Sequence, residues 1–156
     1  MDKIINLVEQ EIAAAFDKAG YDCALAKVTL SNRPDLCEYQ CNGAMAGAKK
    51  YKKAPFMIAE DVLANLTDKT YIGEIEVVKP GFINIKLNED AVAAYLNDMK
   101  KDENLGLEQA KEPKTIVIDY GGPNVAKPLH VGHLRSAIIG ESIKRIGRFV
   151  GHKVIG

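Results

Sequence analysis

Tryptophan is absent from the 156-residue sequence, and histidine occurs only three times. The three cysteines, Cys23, Cys37 and Cys41, form an odd-numbered set with no disulfide pattern. Cys37 and Cys41 have no nearby histidine or second cysteine pair that would complete a zinc site. The sequence therefore predicts reduced thiols, no bound structural metal and a cytoplasmic location.

Long hydrophobic runs are also missing. No apolar stretch approaches the roughly 18 residues that a membrane-spanning helix needs, and Met1 leads directly into an amphipathic, charged segment rather than a signal peptide. Hydrophobic residues make up 47% of the sequence and charged residues 27%, which is typical of globular domains. We expect a protein that neither crosses nor binds a membrane.

The formal net charge of zero conceals an uneven distribution. Residues 1–112 contain 14 Lys and Arg against 19 Asp and Glu, whereas residues 113–156 contain 7 against 2. The basic C-terminal part is the better place for a polyanionic ligand.

Helices and antiparallel strands alternate in the first part of the chain. Apolar residues at three- and four-residue spacing, from Ile5 to Phe16, predict a helix that ends before Gly20. Lys79-Pro80-Gly81 predicts a type II turn between two strands. Further along, alternation and turn residues predict strands over 26–31, 36–41, 71–78 and 82–88, and helices over 43–53, 56–66 and 89–104. This mixture predicts an α+β domain with an antiparallel sheet over residues 1–108.

A charged stretch over residues 109–114 is typical of a linker, and the pattern changes after it. The segment TIVID has almost no polar alternation, as expected of a parallel strand covered on both faces. A helix over 132–149 and a second strand at HKVI follow. Residues 115–156 thus predict the first, incomplete β-α-β unit of a Rossmann-like nucleotide-binding fold.

The stretch PNVAKPLHVGHLRS, residues 123–136, connects the predicted strand to the predicted helix and contains two of the three histidines. Ligands of open α/β sheets bind at such strand ends, and a helix N-terminus favours phosphate. His130 and His133 would add side-chain donors, and Gly132 leaves room for a flat base. Neither a GxGxxG fingerprint nor a Walker A loop is present. Alone, an HxGH sequence leaves nucleotide chemistry, a metal pair and a solvated turn open.

Two further side chains lie close to this stretch. Asp119 ends an apolar strand, where a carboxylate suits a guanidinium or ammonium cation but could also cap the following turn. Lys127 is either an electrostatic partner for ATP or a solvated loop lysine.

The string DYGGPNVAKPLHVGHLRSAIIGE resembles the signature region of arginyl-tRNA synthetases, class I enzymes with a nucleotide-binding fold. YQCNGAMAGAKK and KPGFINIKL are similar to stretches of the additional N-terminal domain of that family. The resemblance implies that His130 and His133 bind the ATP phosphates and stabilise the adenylation transition state. It also implies that Gly132 lets adenine approach the backbone and that Lys127 contributes to ATP binding.

The same resemblance implies two more sets of contacts. Asp119 and Asn124 match positions that bind the substrate arginine. Phe82 and Asn84 match an aromatic residue and an amide that recognise a base in the D-loop of tRNA, although Phe82 at a strand start could equally belong to the core.

The resemblance implies an arginine–tRNA ligase that uses L-arginine, ATP and tRNA(Arg), with Mg²⁺ accompanying ATP, acts as a monomer and does not bind DNA. The chain lacks the second signature loop and the anticodon-reading domain of the family. We therefore expect an N-terminal fragment that is inactive alone. Two alternatives stay open, namely a stand-alone tRNA-binding module and a small HxGH nucleotidyltransferase.

Overall fold

The structure, a computed structural model, describes residues 1–122, 126–128 and 130–156. Contacts between Cα atoms divide the chain into two compact units, Asp2–Asp98 and Met99–Gly156, the latter together with Met1. The domain over 1–108 and the linker over 109–114 stay predictions.

The first unit contains four helices and one sheet among the described residues. In chain order these are α1 (Ile4–Lys18), β1 (Val28–Leu30), β2 (Tyr39–Cys41), α2 (Gly43–Tyr51), α3 (Pro55–Ala64), β3 (Ile72–Val78), β4 (Phe82–Leu87) and α4 (Glu89–Lys101), with a 3-10 turn at Cys23–Leu25. The strands pair antiparallel in the order β1-β2-β4-β3. The predicted α+β architecture of this unit is confirmed.

The core of this unit lies between the sheet and the helices α1 and α3. Phe16, Ile58, Ile83 and Ile85 are all fully buried in it. Burying a large aliphatic or aromatic side chain contributes about 1.5–3 kcal/mol relative to leaving it exposed, so this layer is the main stabilising contact of the unit. Since side chains alternate along a strand, burial of residues 83 and 85 of β4 places its even-numbered residues on the opposite face.

The connection between β3 and β4 differs from the predicted type II turn. The amide of Gly81 donates to the carbonyl oxygen of Val78 at 3.0 Å, and the Lys79–Pro80 peptide bond is cis. Pro80 therefore occupies the third position of the turn, which defines type VI rather than type II. The predicted hairpin is correct, but the turn begins one residue earlier than the Pro-Gly pattern indicates.

Several predicted elements are shorter than expected, and local turns account for two of these differences. The sequence predicts that β2 begins at residue 36, but the amides of Leu36 and Cys37 both donate to the carbonyl of Arg33. These bonds close a turn that keeps the strand from starting before Tyr39. The helix predicted to reach residue 104 ends at Lys101.

The second unit is a β-α-β arrangement. β5 (Thr115–Val117) pairs parallel with β6 (Lys153–Ile155), and α5 (Val131–Phe149) lies between them in the chain. Gly151, at φ +92°, provides the left-handed residue that ends α5. The predicted opening of a Rossmann-like unit is confirmed.

Backbone hydrogen bonds join the segment before β5 to the end of α5 and to β6. The amide of Ala110 donates to the carbonyl of Val150 at 2.8 Å, and the amide of Lys153 donates to the carbonyl of Lys114 at 3.0 Å. The third histidine has a structural role here, because His152 Nδ1 accepts from the amide of Lys114 at 3.3 Å.

Helix α5 carries an apolar side that is largely exposed. Ile138, Ile143 and Ile146 retain 56%, 52% and 63% of their accessible surface. Even so, none of the helices in the described ranges combines the length and the apolar character that a bilayer crossing requires.

Candidate functional site

His130 and His133 cap the N-terminus of α5 reciprocally. His130 is the N-cap residue, and its Nδ1 accepts a hydrogen bond from the amide of Gly132 at 3.1 Å. In return, Nδ1 of His133 accepts from the amide of His130 at 3.1 Å. Helix N-termini leave unpaired N–H groups, and the two imidazoles satisfy two backbone donors at this end of α5.

The capping bonds decide which ring atoms are left for a ligand. A neutral imidazole has one donor nitrogen and one acceptor nitrogen. Because Nδ1 is the acceptor in both His130 and His133, Nε2 carries the proton and is the remaining donor on each ring. The ring centroids lie 4.0 Å apart, so the two rings are adjacent at this end of α5.

Gly132 is required by this geometry. A Cβ atom built at Gly132 would lie 2.8 Å from Cε1 of His130. That distance is shorter than real Cβ contacts allow, so any side chain here would push the His130 ring out of its capping position. The sequence interpretation, which gave Gly132 the role of admitting a base, did not include this constraint.

A cavity of about 510 Å³ adjoins the histidine pair. It is lined by residues that follow β5 and by residues at the start of α5: Tyr120, Gly121, Gly122, His130, Val131, His133, Leu134, Ser136 and Ala137. This volume lies within the range of about 300–1,000 Å³ typical of small-molecule sites.

The other predicted residues of this site are placed less closely around the cavity. Asp119 is exposed and directly precedes Tyr120, and no hydrogen bond joins its carboxylate to another residue in the described ranges. Lys127 is exposed as well, and it is not among the residues that line the cavity. Asn124 lies outside the described residues.

Tyr120 is held against α5 by a group of residues that the sequence analysis did not identify. Its hydroxyl donates to Oε2 of Glu141 at 2.5 Å, and Nζ of Lys144 lies 5.4 Å from its ring centroid. A Cβ at Gly140 would lie 2.1 Å from Cγ of Tyr120, so the ring packs directly on the helix backbone. The spacing of Glu141, Lys144 and Arg145 suggests helix ion pairs, but nothing in the sequence points to Tyr120.

Glu141 is the charged centre of this group. Lys144 Nζ lies 2.6 Å from Oε2, and Arg145 Nε lies 2.9 Å from Oε1. The hydrogen bond from Lys144, followed by those from Tyr120 and Arg145, lowers the pKa of Glu141 to about 2. The carboxylate therefore stays ionised and fixes the residue next to Asp119.

A second group of predicted residues lies in the first unit. Phe82 and Asn84 are half-buried on the face of β4 opposite the core, so Phe82 does not belong to the hydrophobic core cluster. Both line a cavity of about 160 Å³. Gln40 also lines it, and its Nε2 donates to Oδ1 of Asn84 at 2.8 Å.

The two buried cysteines of this unit have separate environments. Cys41 is fully buried in the core, where burial raises the pKa of its thiol to about 11. The thiol of Cys37 contacts the hydroxyl of Ser31 at 3.3 Å.

Comparison with known proteins identifies the family of the chain. The family described as "tRNA synthetases class I (R), catalytic domain" matches residues 95–156, which assigns the β-α-β unit to the class I aminoacyl-tRNA synthetases. The family "Arginyl tRNA synthetase N terminal domain" matches residues 2–87. The chain therefore belongs to the arginyl-tRNA synthetase family.

Individual relatives agree with this assignment. The chain is 64% identical over its whole length to the arginine–tRNA ligase of Agathobacter rectalis and 56% identical to that of Alkaliphilus oremlandii. It covers 26% and 27% of these proteins, so it spans about a quarter of their length. Among solved structures, arginyl-tRNA synthetase from Plasmodium falciparum matches 99% of this chain, and 30% of its own, with a TM-score of 0.57 and 26% identity. The enzyme from Thermus thermophilus matches 98% of this chain, and 24% of its own, with a TM-score of 0.52 and 25% identity.

The depressed pKa of Glu141 gives a prediction about pH. Its ordinary value is 4.5 and its folded value is about 2, so its ionised form stabilises the fold above pH 4.5, and that contribution is lost as the pH falls towards 2. The variant Glu141→Gln should therefore unfold at a lower temperature than wild type at pH 7, and the difference should disappear near pH 2. Thermal melts between pH 7 and 2 measure this. Glu103→Gln, outside the cluster, is the matched control, and a Glu141→Gln difference that does not change with pH would contradict the assignment.

The histidine cap gives a second prediction. His130→Ala removes the cap acceptor and should weaken the start of α5 by about 1 kcal/mol, whereas asparagine is itself a good N-cap residue. The amide of Gly132 should therefore exchange with solvent about fivefold faster in His130→Ala, and near the wild-type rate in His130→Asn. Hydrogen exchange followed by NMR distinguishes the variants, and equal rates in both would refute the capping role.

Proposed function

We propose that this chain forms part of an arginine–tRNA ligase and supplies its ATP-phosphate contacts and a tRNA-reading face. In the proposed reaction the carboxylate of L-arginine attacks the α-phosphorus of ATP, arginyl-adenylate forms and pyrophosphate leaves. A hydroxyl of the terminal ribose of tRNA(Arg) then attacks the carbonyl carbon of the adenylate, the arginyl ester forms and AMP leaves. The observation that carries the proposal is the reciprocal cap, which leaves two imidazole donors at one helix N-terminus beside a cavity.

His130 and His133 have the role of charge stabilisation. Negative charge increases on the phosphate oxygens as the bond to pyrophosphate breaks, and fixed donors aimed at such oxygens lower the barrier. The two Nε2 donors are held by hydrogen bonds that already exist in the protein, so they need no reorganisation during the reaction. The N-terminus of α5 adds its own partial positive charge.

Asp119, Asn124 and Lys127 complete this half of the proposed site. Asp119 follows the strand end, where its carboxylate suits the guanidinium or ammonium group of arginine. Asn124 is proposed as a second arginine contact and Lys127 as an ATP contact on the resemblance of the sequence. The Tyr120–Glu141 hydrogen bond supports the role of Asp119, because it anchors the adjoining residue to α5.

The proposal also includes a metal ion, a cellular compartment and an oligomeric state. Mg²⁺ would accompany ATP and neutralise phosphate charge. The free thiols of Cys23, Cys37 and Cys41 fit a reducing compartment, which favours the cytoplasm. We propose that the enzyme acts as a monomer.

Phe82 and Asn84 are proposed to read a base of the tRNA D-loop. A half-buried aromatic ring beside an amide, on a sheet face that does not form the core, provides a stacking platform and a base-edge contact. The 160 Å³ cavity between them and the β1–β2 connection is the proposed base site.

The adenylation proposal predicts the effect of removing one donor. In a protein where these 156 residues continue to the length of the relatives, His133→Ala should lower kcat for arginine-dependent pyrophosphate exchange about 100- to 1,000-fold, the effect of losing one transition-state donor. His152→Ala, which changes a histidine outside the site, should retain activity. The proposal would be overturned if pyrophosphate exchange required an amino acid other than arginine. It would also be overturned if His133→Ala and His152→Ala were equally active.

The RNA proposal predicts the effect of removing the ring. Phe82→Ala should weaken binding of tRNA(Arg) to residues 1–156 at least fivefold, because stacking on one base contributes about 1–3 kcal/mol. Phe82→Tyr keeps an aromatic ring and should bind nearly as tightly as wild type. Fluorescence anisotropy at constant salt measures both, and unchanged affinity in Phe82→Ala would contradict a stacking role.

A further inference from the structure

A row of four polar residues crosses the face of the sheet opposite the core. Thr29 pairs with Gln40, Gln40 pairs with Asn84, and Asn84 pairs with Glu76. Directly opposed residues on antiparallel strands have Cβ atoms about 4.5–5.5 Å apart, so each side chain in the row has its neighbour within reach. Asn84 is therefore flanked by an amide on one side and a carboxylate-bearing residue on the other.

We propose that Gln40 is a positioning residue that determines which base edge Asn84 can read; this rests on the proposed tRNA-reading role of the same face. Gln40 Nε2 donates to Asn84 Oδ1 at 2.8 Å. An asparagine amide offers one accepting oxygen and two N–H donors. Because this bond holds Oδ1 on the side of Gln40, the amide turns its two Nδ2 donors away from residue 40, and the site favours a base edge that carries an acceptor at the contact.

The cavity at this pair has the size and the walls of a site for a single base. Its volume of about 160 Å³ is below the range of about 300–1,000 Å³ typical of sites for whole drug-sized ligands. Gln40, Phe82 and Asn84 form the sheet side, and the β1–β2 connection, including Arg33 and Leu36, forms the opposite side. This arrangement favours one flat ring over a complete nucleotide.

The charges around the cavity also favour a base over a phosphate. Both Nε and Nη2 of Arg33 bind the carboxylate of Asp35, at 2.9 and 2.7 Å, so the cation that lines the cavity already has an anionic partner. Glu76 lies beside Asn84 in the row and repels phosphate. Recognition here depends on whether Asn84 presents a donor or an acceptor to the base, and not on net charge.

The replacement Gln40→Glu tests this polarity. Glutamate has nearly the same shape as glutamine, but as a carboxylate it only accepts. Asn84 must then turn its Nδ2 towards residue 40 and present Oδ1 to the base. The preferred base should change from one with an acceptor at the contact to one with a donor, whereas Gln40→Ala should only weaken the preference.

The probes are tRNA(Arg) molecules that bind residues 1–156. A set with one abasic D-loop position each identifies the contacted nucleotide, and a second set carries each of the four bases at that position. Wild type should bind bases that present an acceptor at the contacted position about fivefold more tightly than bases that present a donor there, the effect of one net hydrogen bond. In Gln40→Ala the preference should fall below about twofold, and in Gln40→Glu the order of the bases should reverse.

Gln10→Glu and Gln10→Ala are matched controls, because Gln10 is exposed on α1, away from the sheet. Both should keep the wild-type order of bases. If wild type discriminates and the Gln40 variants keep the same order, or if Gln40→Glu weakens all bases equally, the role of Gln40 is wrong while base reading stands. If wild type shows no dependence on any D-loop base, the reading face itself is wrong. If Gln40→Ala fails to fold, the isosteric Gln40→Glu decides.

Discussion

Parallel pairing of β5 with β6 is the constraint on which the candidate site at the N-terminus of α5 depends. Two parallel strands need a crossover connection, and here α5 supplies it. The crossover brings the carboxyl end of β5 and the N-terminus of α5 to the same edge. His130 can therefore act as the cap of α5 while it lines the cavity that follows β5.

Packing between the residues after β5 and helix α5 fixes the positions of the groups at that edge. Tyr120 lies against Gly140, where no side chain could fit, and its hydroxyl is bound by Glu141. Since Lys144 and Arg145 also bind Glu141, one carboxylate fixes the residue that follows Asp119. In the first unit, burial fixes the candidate site instead. Ile83 and Ile85 of β4 are buried in the core, so the even-numbered residues of β4 lie on the opposite face.

The sequence predicted the elements well because their signals are local. Hydrophobic spacing and the glycine after α1 each depend on a few neighbouring residues, and Gly20 does adopt the left-handed conformation, at φ +80°. The β3–β4 turn was predicted wrongly because a Pro-Gly pair fits more than one turn type. Gln40, Tyr120 and Gly140 were missed because their roles arise from contacts with residues 44, 21 and 20 positions away in the chain.

In both candidate sites, a hydrogen bond within the folded chain uses one polar atom of a side chain and leaves the other polar atom available to a ligand. Imidazole and carboxamide groups each contain a donor and an acceptor. In His130 and His133 the backbone occupies Nδ1 and leaves Nε2, and in Asn84 a neighbouring amide occupies Oδ1 and leaves Nδ2. A motif specifies the side chain but not the atom that remains for the ligand, since that atom depends on partners in the folded chain. We therefore expect residues that bind the other atom, such as Gln40, to influence specificity through the orientation of their partner.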